Sequence, residues 1–405
     1  MGISLKSGQY NQHVKKRPAF LPEDFTENKV LLIRGGRGYF DLLKRMISRA
    51  QKTIHLQTYI YDDDETGLDI AAELIKAAKR NVNVFLLVDG FASQSMSQSF
   101  INYLRDGGVN FRFFEPILKS KYFYFGRRLH HKMMVVDGES AVVGGINISN
   151  RYNDWNGQAA WLDFALYVEG KAAKELCVLG YKTWKGFPNK MGLTPCEPEA
   201  DHFNMDTWDT SFVRMRRNDW VRRKNQISTS YIELLKNARQ ELTILCSYFL
   251  PGREFLDHLI RAARRGVKIK VIAAGRSDVQ VAKHAERFIY EDLLKNNIEI
   301  YEYQKTVLHG KLTVCDSKWL TIGSYNVNNI SAHATIELNL DVYDPVVAEH
   351  ANEMLQTIVK EDCIRITSEW LKKRESIFQR LIQWISYGIV RFLFYLFTFY
   401  FKQRA

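Results

Sequence analysis

The stretch from His130 to Asn147 decides the fold, and it reads HHKMMVVDGESAVVGGIN. The same pattern returns from His309 to Asn326, where the chain reads HGKLTVCDSKWLTIGSYN. Each copy has a histidine, a lysine two residues later, an aspartate five residues after the lysine, and then a small pair and an asparagine. The offset between the copies is 179 residues at every one of these positions, so the pattern is a duplication.

Each copy has the pattern of a β-hairpin. The apolar runs MMVV and LTVC favour buried strands, and an Asp-Gly or Asp-Ser turn leads to a second apolar run. Residues i and i+2 of a strand point to one face, so His130 projects with Lys132, and His309 with Lys311. The small pairs are expected to let the backbone approach a ligand closely. Because lysine suits phosphate oxygens and histidine titrates near neutral pH, these pairs predict a site that holds and attacks an anion.

The repetition extends well beyond the two motifs. Residues 259–275 align with residues 74–90 at an offset of 185, and residues 290–303 align with residues 100–113 at an offset of 190. In each half, short apolar runs alternate with segments whose apolar residues have helical spacing. The sequence therefore predicts an α/β fold made of two similar domains.

The duplicated pattern resembles the phospholipase D superfamily, whose signature is two copies of H-x-K-x4-D with a trailing small pair and asparagine. The resemblance covers both motifs and most of residues 30–360. It implies two phospholipase D-like domains, with mixed sheets flanked by helices, related by a pseudo-twofold axis with one active site between them. Stretches near residues 60, 247 and 309 are similar to bacterial cardiolipin synthases, and in particular to the shorter type without amino-terminal transmembrane helices.

The resemblance also implies roles for individual residues. The nucleophile is expected to be His130 and the general acid and base His309, although the symmetry of the motifs does not distinguish them. Asp163 and Glu337 stand where relatives have an acidic residue that hydrogen-bonds the imidazole of the opposite motif, which fixes its tautomer. The expected catalytic residues are His130, Lys132, Asp137, His309, Lys311 and Asp316. The expected supporting and phosphate-binding residues are Asn147, Asn326, Asp163, Glu337, Gly145 and Ser324.

The sequence limits the expected site in two respects. Asp137 and Asp316 are expected to support the hairpin and its lysine rather than to touch substrate. The sequence has neither zinc-ligand spacing nor a carboxylate cluster, so no metal and no other cofactor is expected.

Composition points to an anionic partner and an intracellular setting. The 405-residue chain has a formal net charge of +12 and a pI near 9.3, which favours nucleic acid or an anionic membrane surface. The five cysteines are scattered and show no CxxC pair, so no disulfide framework is expected and a reducing cytoplasm is favoured.

The sequence divides into five segments. Residues 1–25 are expected to be a basic, mobile leader, residues 26–195 the first domain, and residues 196–225 a linker. The basic run of this linker is interpreted as solvated chain, with a headgroup or phosphate contact near the cleft as the alternative. Residues 226–375 are expected to be the second domain and residues 376–405 a membrane-associated segment.

Two stretches favour a membrane surface. ILKSKYFYFGRR, at residues 117–128, interleaves cations with aromatic rings and is interpreted as an interfacial loop, with a strand as the alternative. LIQWISYGIVRFLFYLFTFYF, at residues 381–401, is long enough to span a bilayer, but Arg391 at its middle disfavours this. It is interpreted as a helix lying in the interface, with a helix that covers an apolar groove of the protein as the alternative.

Several functions fit these residues. The favoured reading is cardiolipin synthesis, in which one phosphatidylglycerol gives its phosphatidyl group to another at the cytoplasmic side of the cell membrane, by a peripheral or monotopic enzyme. A phospholipase D that uses water or another alcohol would have the same catalytic residues. A nuclease is permitted by the net charge but is opposed by the apolar carboxyl end, so no nucleic acid partner is expected. A binding scaffold without activity is disfavoured because both motifs are complete.

Overall fold

The computed structural model describes residues 17–116, 127–186, 210–277, 279–328, 331–332 and 335–402. The first half alternates strands and helices before it ends in a meander and a long helix. Its elements are β1 (Thr26–Arg34), α1 (Arg37–Arg49), β2 (Thr53–Thr58), α2 (Glu65–Lys79), β3 (Asn83–Asp89), α3 (Gln98–Asp106), β4 (Asn110–Phe114), β5 (Arg128–Leu129), β6 (Met133–Val136), β7 (Ser140–Gly144), β8 (Phe164–Gly170) and α4 (Lys171–Lys185).

The second half repeats this order and adds two helices at the carboxyl end. Its elements are β9 (Thr210–Asp219), β10 (Lys224–Asn225), α5 (Gln226–Asn237), β11 (Glu241–Cys246), α6 (Arg253–Arg264), β12 (Lys268–Ala274), α7 (Gln280–Lys295), β13 (Glu299–Tyr303), β14 (Lys311–Cys315), β15 (Trp319–Gly323), β16 (Thr335–Tyr343), α8 (Pro345–Asp362), β17 (Cys363–Ile366), α9 (Ser368–Arg374) and α10 (Ile377–Lys402).

The two halves have the same mixed strand order. It is β4-β3-β2-β6-β7-β8-β1 in the first half and β13-β12-β11-β14-β15-β16-β9 in the second, with β17 added beside β13. The first three strands of each list run parallel, as expected for strands joined by helical crossovers, and the others pair antiparallel. Strands β1 and β9 pair with each other and join the two sheets. The predicted α/β fold of two similar domains is confirmed.

One hydrophobic core is shared by the two halves. It lies between the meanders that carry the motifs and is covered by α4 and α8, and separate cores fill the outer layers of each half. Residues buried in the shared core include Val135, Val143 and Leu166 from the first half and Val314, Ile322 and Leu340 from the second. Because this core belongs to both halves, it holds the two motifs against each other.

The structure differs from the expected linker at residues 196–225. Thr210–Asp219 form β9, which pairs with both β1 and β16. The basic run looked like solvated chain, but Arg214 is buried, with its guanidinium 2.9 Å from Asp341 and 2.6 Å from Glu233. Paired arginines are compatible with a buried strand, so the charges do not mark a linker here. The boundaries proposed at residues 195 and 375 remain predictions.

The end of the expected leader is packed against the second half. Leu21 and Phe25 are buried together with Phe212 of β9, and the Arg214 guanidinium carbon lies 4.5 Å from the centroid of the Phe25 ring. Residues 17–25 are therefore part of the folded structure, whereas residues 1–16 lie outside the described residues.

Cysteine pairing also differs from the expectation. Cys177, which is buried on α4, is disulfide-bonded, whereas Cys246, Cys315 and Cys363 are free. One cysteine of the described residues is therefore paired, although the sequence indicated no disulfide framework.

The motif aspartates are located at the hairpin turns. Asp137 accepts hydrogen bonds from the backbone N–H groups of Gln51, Lys52 and Thr53 at 2.7–2.8 Å. Asp316 makes the equivalent three bonds to residues 239–241 at 2.8–3.0 Å. Each carboxylate thus fastens its hairpin to the segment that begins the neighbouring parallel strand.

Replacing Asp137 by alanine is expected to destabilise the fold. The change removes three hydrogen bonds to a charged acceptor and places alanine at a φ of 55°, which L-residues disfavour. We expect the free energy of unfolding to fall by roughly 2–3 kcal/mol in denaturant titration. Glu139→Ala, at an exposed position of the same turn, is the control, with an expected change of about 0.5 kcal/mol or less. Equal unfolding midpoints for the two variants would contradict this role of Asp137.

Candidate active site

Each motif histidine is anchored to the half of the chain that does not contain it. The His130 N–H donates to the carbonyl of Ile336 at 3.0 Å, and the His309 N–H donates to the carbonyl of Leu162 at 2.8 Å. The histidines precede β6 and β14, and each is 9% exposed. The two imidazoles therefore sit at the junction of the halves, with one edge accessible.

The imidazoles are oriented by carboxylates that also cross between the halves. His130 Nδ1 lies 2.8 Å from Glu337 Oε2, and His309 Nδ1 lies 2.6 Å from Asp163 Oδ2. Both carboxylates are completely buried. Because Nδ1 is held in this way, the chemistry of each ring falls to Nε2.

Burial sets the protonation of these pairs. It lowers the pKa of His130, against the opposing effect of Glu337, and lowers the pKa of His309 to about 4. Burial would raise the pKa of Glu337, but the neighbouring His130 and Lys132 outweigh it and hold that pKa below its ordinary value. At neutral pH the site thus has neutral imidazoles beside an ionised Glu337.

The two motif lysines are buried beside the histidines. Lys132 Nζ donates to the carbonyl of His130 at 2.8 Å and lies 5.0 Å from the centroid of the Tyr59 ring. Lys311 Nζ donates to the carbonyl of His309 and lies 3.1 Å from its Nδ1. Burial and the charge of Lys311 hold the pKa of Lys132 well below its ordinary value. An anionic group between the lysines would relieve this repulsion.

One member of each small pair contacts an orienting carboxylate. A Cβ added at Gly145 would lie 2.7 Å from Asp163 Oδ2 and even closer to Oδ1, so glycine makes room for the carboxylate that holds His309. In the second copy the Ser324 hydroxyl donates to Glu337 Oε2. Gly145 and Ser324 thus accommodate the orienting carboxylates, and the expected close approach of the small pairs to a ligand stays a prediction.

The two motif asparagines are not equivalent. Asn147 is fully buried, and its amide accepts from Ile60 N–H at 3.0 Å and donates to the Tyr152 hydroxyl at 2.9 Å. Asn326 is 6% exposed, and its Oδ1 lies 4.0 Å from Cys246 Sγ. Asn147 is therefore hydrogen-bonded within the scaffold around the site, whereas Asn326 is the more exposed of the two amides.

Three aromatic residues contact the histidines and were missed from the sequence. The Tyr59 ring lies edge-on to His130 at 4.9 Å, and the Tyr152 ring lies edge-on to His309 at 5.2 Å. Trp161 is 6.2 Å from His309 by ring centroids. Burial raises the pKa of Tyr59 to about 12, so its hydroxyl remains protonated.

Other expectations concern residues around this site. His131 is completely buried and its Nδ1 lies 3.1 Å from Gln57 Oε1, away from the imidazole of His130. Residues 117–126 of the expected interfacial loop lie outside the described residues. Among the residues that the structure describes, no group of three or more histidine, cysteine or acidic side chains is arranged to hold a metal ion.

The fold and the paired motifs define a phospholipase D-like protein. A family model described as "Cardiolipin synthase, PLD-like domain" matches residues 43–170 and 231–359. Proteins named Cardiolipin synthase B from Escherichia coli (strain K12) and Salmonella typhi are each 31% identical over 352 residues, which cover 86% of this chain and 84% of theirs. The chain belongs to the cardiolipin synthase family of phospholipase D-like proteins.

A solved structure shows the same fold. The phosphatidylserine synthase of Haemophilus influenzae Rd KW20 superposes with a TM-score of 0.68, covering 90% of this chain and 93% of that chain. Its sequence identity is 14%, so the likeness concerns the fold alone.

Gly145→Ala is expected to impair turnover by displacing Asp163. The added methyl group overlaps the carboxylate, which must move away from His309 and release its orientation. We expect kcat to fall at least about tenfold, with a smaller change in KM, because misplaced catalytic groups affect mainly the chemical step. Gly38→Ala is the control, since an added Cβ there meets nothing within 4 Å. An unchanged kcat in a folded Gly145→Ala protein would contradict this role of Gly145.

Proposed function

We propose that the protein is a cardiolipin synthase that transfers the phosphatidyl group of one phosphatidylglycerol to a second one, releasing glycerol. The observation that carries the proposal is the reciprocal pair of imidazole–carboxylate hydrogen bonds, His130–Glu337 and His309–Asp163. This arrangement provides one nucleophile and one proton carrier for a single phosphorus. The names of the relatives support the choice of lipid substrates.

The first step forms a covalent intermediate. Nε2 of His130 attacks the phosphorus of the donor, and the bond between phosphorus and the glycerol oxygen breaks. The negative charge of the bound phosphodiester favours protonation of His309, and Nε2–H of this imidazolium gives its proton to the leaving alkoxide, so glycerol departs neutral. The phosphatidyl group remains on His130 as a phosphohistidine.

The second step reverses the roles at the same phosphorus. Neutral His309 takes the proton of a hydroxyl group on the acceptor phosphatidylglycerol, whose oxygen then attacks phosphorus. The bond between phosphorus and His130 breaks, and cardiolipin leaves. The enzyme returns to its starting protonation state, and no oxidant or reductant takes part.

The buried cations stabilise both transition states. Lys132 and Lys311 lie beside the two histidines, where they are able to bind the non-bridging oxygens as charge develops. The amide of Asn326 is the better placed of the two asparagines for the same task, since Asn147 binds Tyr152 and Ile60.

The substrates define where the protein works. Phosphatidylglycerol resides in bilayers, and a chain with net charge +12 is attracted to their anionic surface. We therefore expect peripheral or monotopic association with the cell membrane, and the cytoplasmic side stays a prediction. Among the described residues, no helix meets the length and hydropathy needed to cross a bilayer.

Product analysis tests the proposed reaction. Purified protein is supplied with phosphatidylglycerol in mixed micelles, and lipids and water-soluble products are followed by mass spectrometry. Cardiolipin with an equal amount of glycerol is the expected result. Phosphatidic acid with glycerol would mean that water is the acceptor and that the protein is a phospholipase D. Absence of lipid turnover would overturn the proposal and direct the assay to single-stranded and double-stranded DNA.

The two histidines are expected to act as one unit. His130→Ala and His309→Ala should each lower kcat by at least about a thousandfold, and the double variant should lose little more. The exposed His350→Ala is the control and should retain activity. Turnover should survive EDTA. Substantial activity in either single variant, or a strict metal requirement, would exclude this mechanism.

The pH profile reports the attacking imidazole. Because burial lowers the pKa of His130 below its ordinary 6.5, the acidic limb of kcat/KM should lie below pH 6.5. Glu337 raises that pKa through its charge and hydrogen bond, so Glu337→Gln should move the limb to still lower pH and reduce kcat. A shift of the limb to higher pH in Glu337→Gln would contradict the assignment.

A further inference from the structure

Helix α10 lies along α7 at the carboxyl end of the chain. The Tyr387 ring stacks on Phe288 of α7 with centroids 4.7 Å apart. Tyr387 and Val390 also pack against Leu250 and Ala285. The helix is therefore docked on the second half by one side.

The polarity of α10 is the reverse of that of an ordinary surface helix. Its buried positions include two polar residues, Gln383 and Ser386, which are 5% and 6% exposed. Its solvent side, which we call the outer face, has large apolar side chains that are 45–69% exposed. The outer face comprises Phe378, Leu381, Trp384, Ile385, Ile389 and Phe392. Soluble proteins rarely expose a continuous apolar stripe of this kind without a partner.

Basic residues lie on α10 and at the end of the helix before it. Lys372, Lys373 and Arg374 end the preceding helix α9, and Arg380 is exposed on the first turn of α10. Arg391 lies at the edge of the face, with its guanidinium carbon 5.7 Å from the centroid of the Tyr387 ring. Apolar residues flanked by basic residues match a bilayer surface with anionic headgroups.

The docked side of α10 is connected to the second motif. Leu250, which packs against α10, donates its N–H to the carbonyl of Val327 at 2.9 Å and forms a β-bridge with Asn328. Both partners directly follow Asn326 of the second motif. These contacts tie the position of α10 to the second half of the candidate site.

We propose that the outer face of α10 is a docking surface for an anionic lipid bilayer, which it binds with the helix axis in the membrane plane. The protein occupies the opposite side of α10, so the docked helix inserts its apolar face and does not span. This inference rests on the proposed function, because the lipid substrates must reach the cleft from the bilayer. It adds the element that holds the protein at the bilayer that contains them.

Vesicle binding tests the inference in the full chain. The variant Phe378→Ser, Trp384→Ser, Phe392→Ser removes the large aromatic side chains of the outer face. We expect its partition coefficient onto vesicles of phosphatidylglycerol and phosphatidylcholine to fall at least about tenfold. Leu31→Ser, Leu68→Ser, Val346→Ser removes three similarly exposed apolar side chains elsewhere and should bind as the wild type does.

A fluorescence measurement locates the face independently. Brominated phospholipids in the vesicles should quench part of the tryptophan emission, and Trp384→Phe should abolish that quenched part while keeping the affinity. Quenching that is unchanged in Trp384→Phe would overturn the assignment of the outer face.

Two further outcomes separate the inference from the proposed function. The triple serine variant should make cardiolipin in mixed micelles at the wild-type rate but slowly on vesicles. If the wild type makes no cardiolipin in micelles, the proposed function fails, while vesicle binding still reports on the outer face. Unchanged vesicle binding in the triple variant overturns the inference. If that variant instead turns a dimer into a monomer in light scattering, a second copy of the chain covers the outer face.

Discussion

A buried carboxylate from each half of the chain hydrogen-bonds the motif histidine of the other half, and this exchange constrains how the two halves pack. Glu337 and Asp163 are completely buried, and a buried carboxylate without a partner would be strongly destabilising. Each half therefore supplies the histidine that the buried acid of the other half needs as its partner. The paired strands β1 and β9 and the shared core hold the halves in the register that makes both hydrogen bonds possible.

The exchange is symmetric in topology but not in chemistry, because the two carboxylates differ in length. Asp163 is the shorter one, and it approaches its histidine across Gly145, where any side chain would overlap it. Glu337 is longer by a methylene group, and the Ser324 hydroxyl donates to it. Gly145 with Asp163 and Ser324 with Glu337 are therefore two ways of placing a buried carboxylate against the motif histidine of the other half. A side chain at position 145 would displace Asp163, so this small residue affects the motif histidine through the acid.

Duplication explains how much of this arrangement could be predicted from the sequence. Local patterns suffice for the hairpins, because apolar runs and Asp-Gly or Asp-Ser turns determine them, and two aligned copies predict two similar domains. Strand β9 was missed because its arginines suggested solvent, and only the tertiary partners Asp341 and Glu233 make their burial possible. Tyr59 and Trp161 contact the histidines through the fold alone, so neither spacing nor composition could indicate them.

The carboxyl-terminal helix shows why average hydropathy is an incomplete guide to how a segment contacts a membrane. Gln383, Ser386 and Arg391 lower the apolar average of this segment, and along the sequence they count against a helix that spans the bilayer. In three dimensions Gln383 and Ser386 face the protein, and Arg391 lies at the margin beside Tyr387. Because these residues lie on the docked side or at the edge of α10, the outer face is almost wholly apolar. The same polar residues that argue against a spanning helix therefore favour an in-plane one, because they occupy the positions that a docked interfacial helix turns away from lipid.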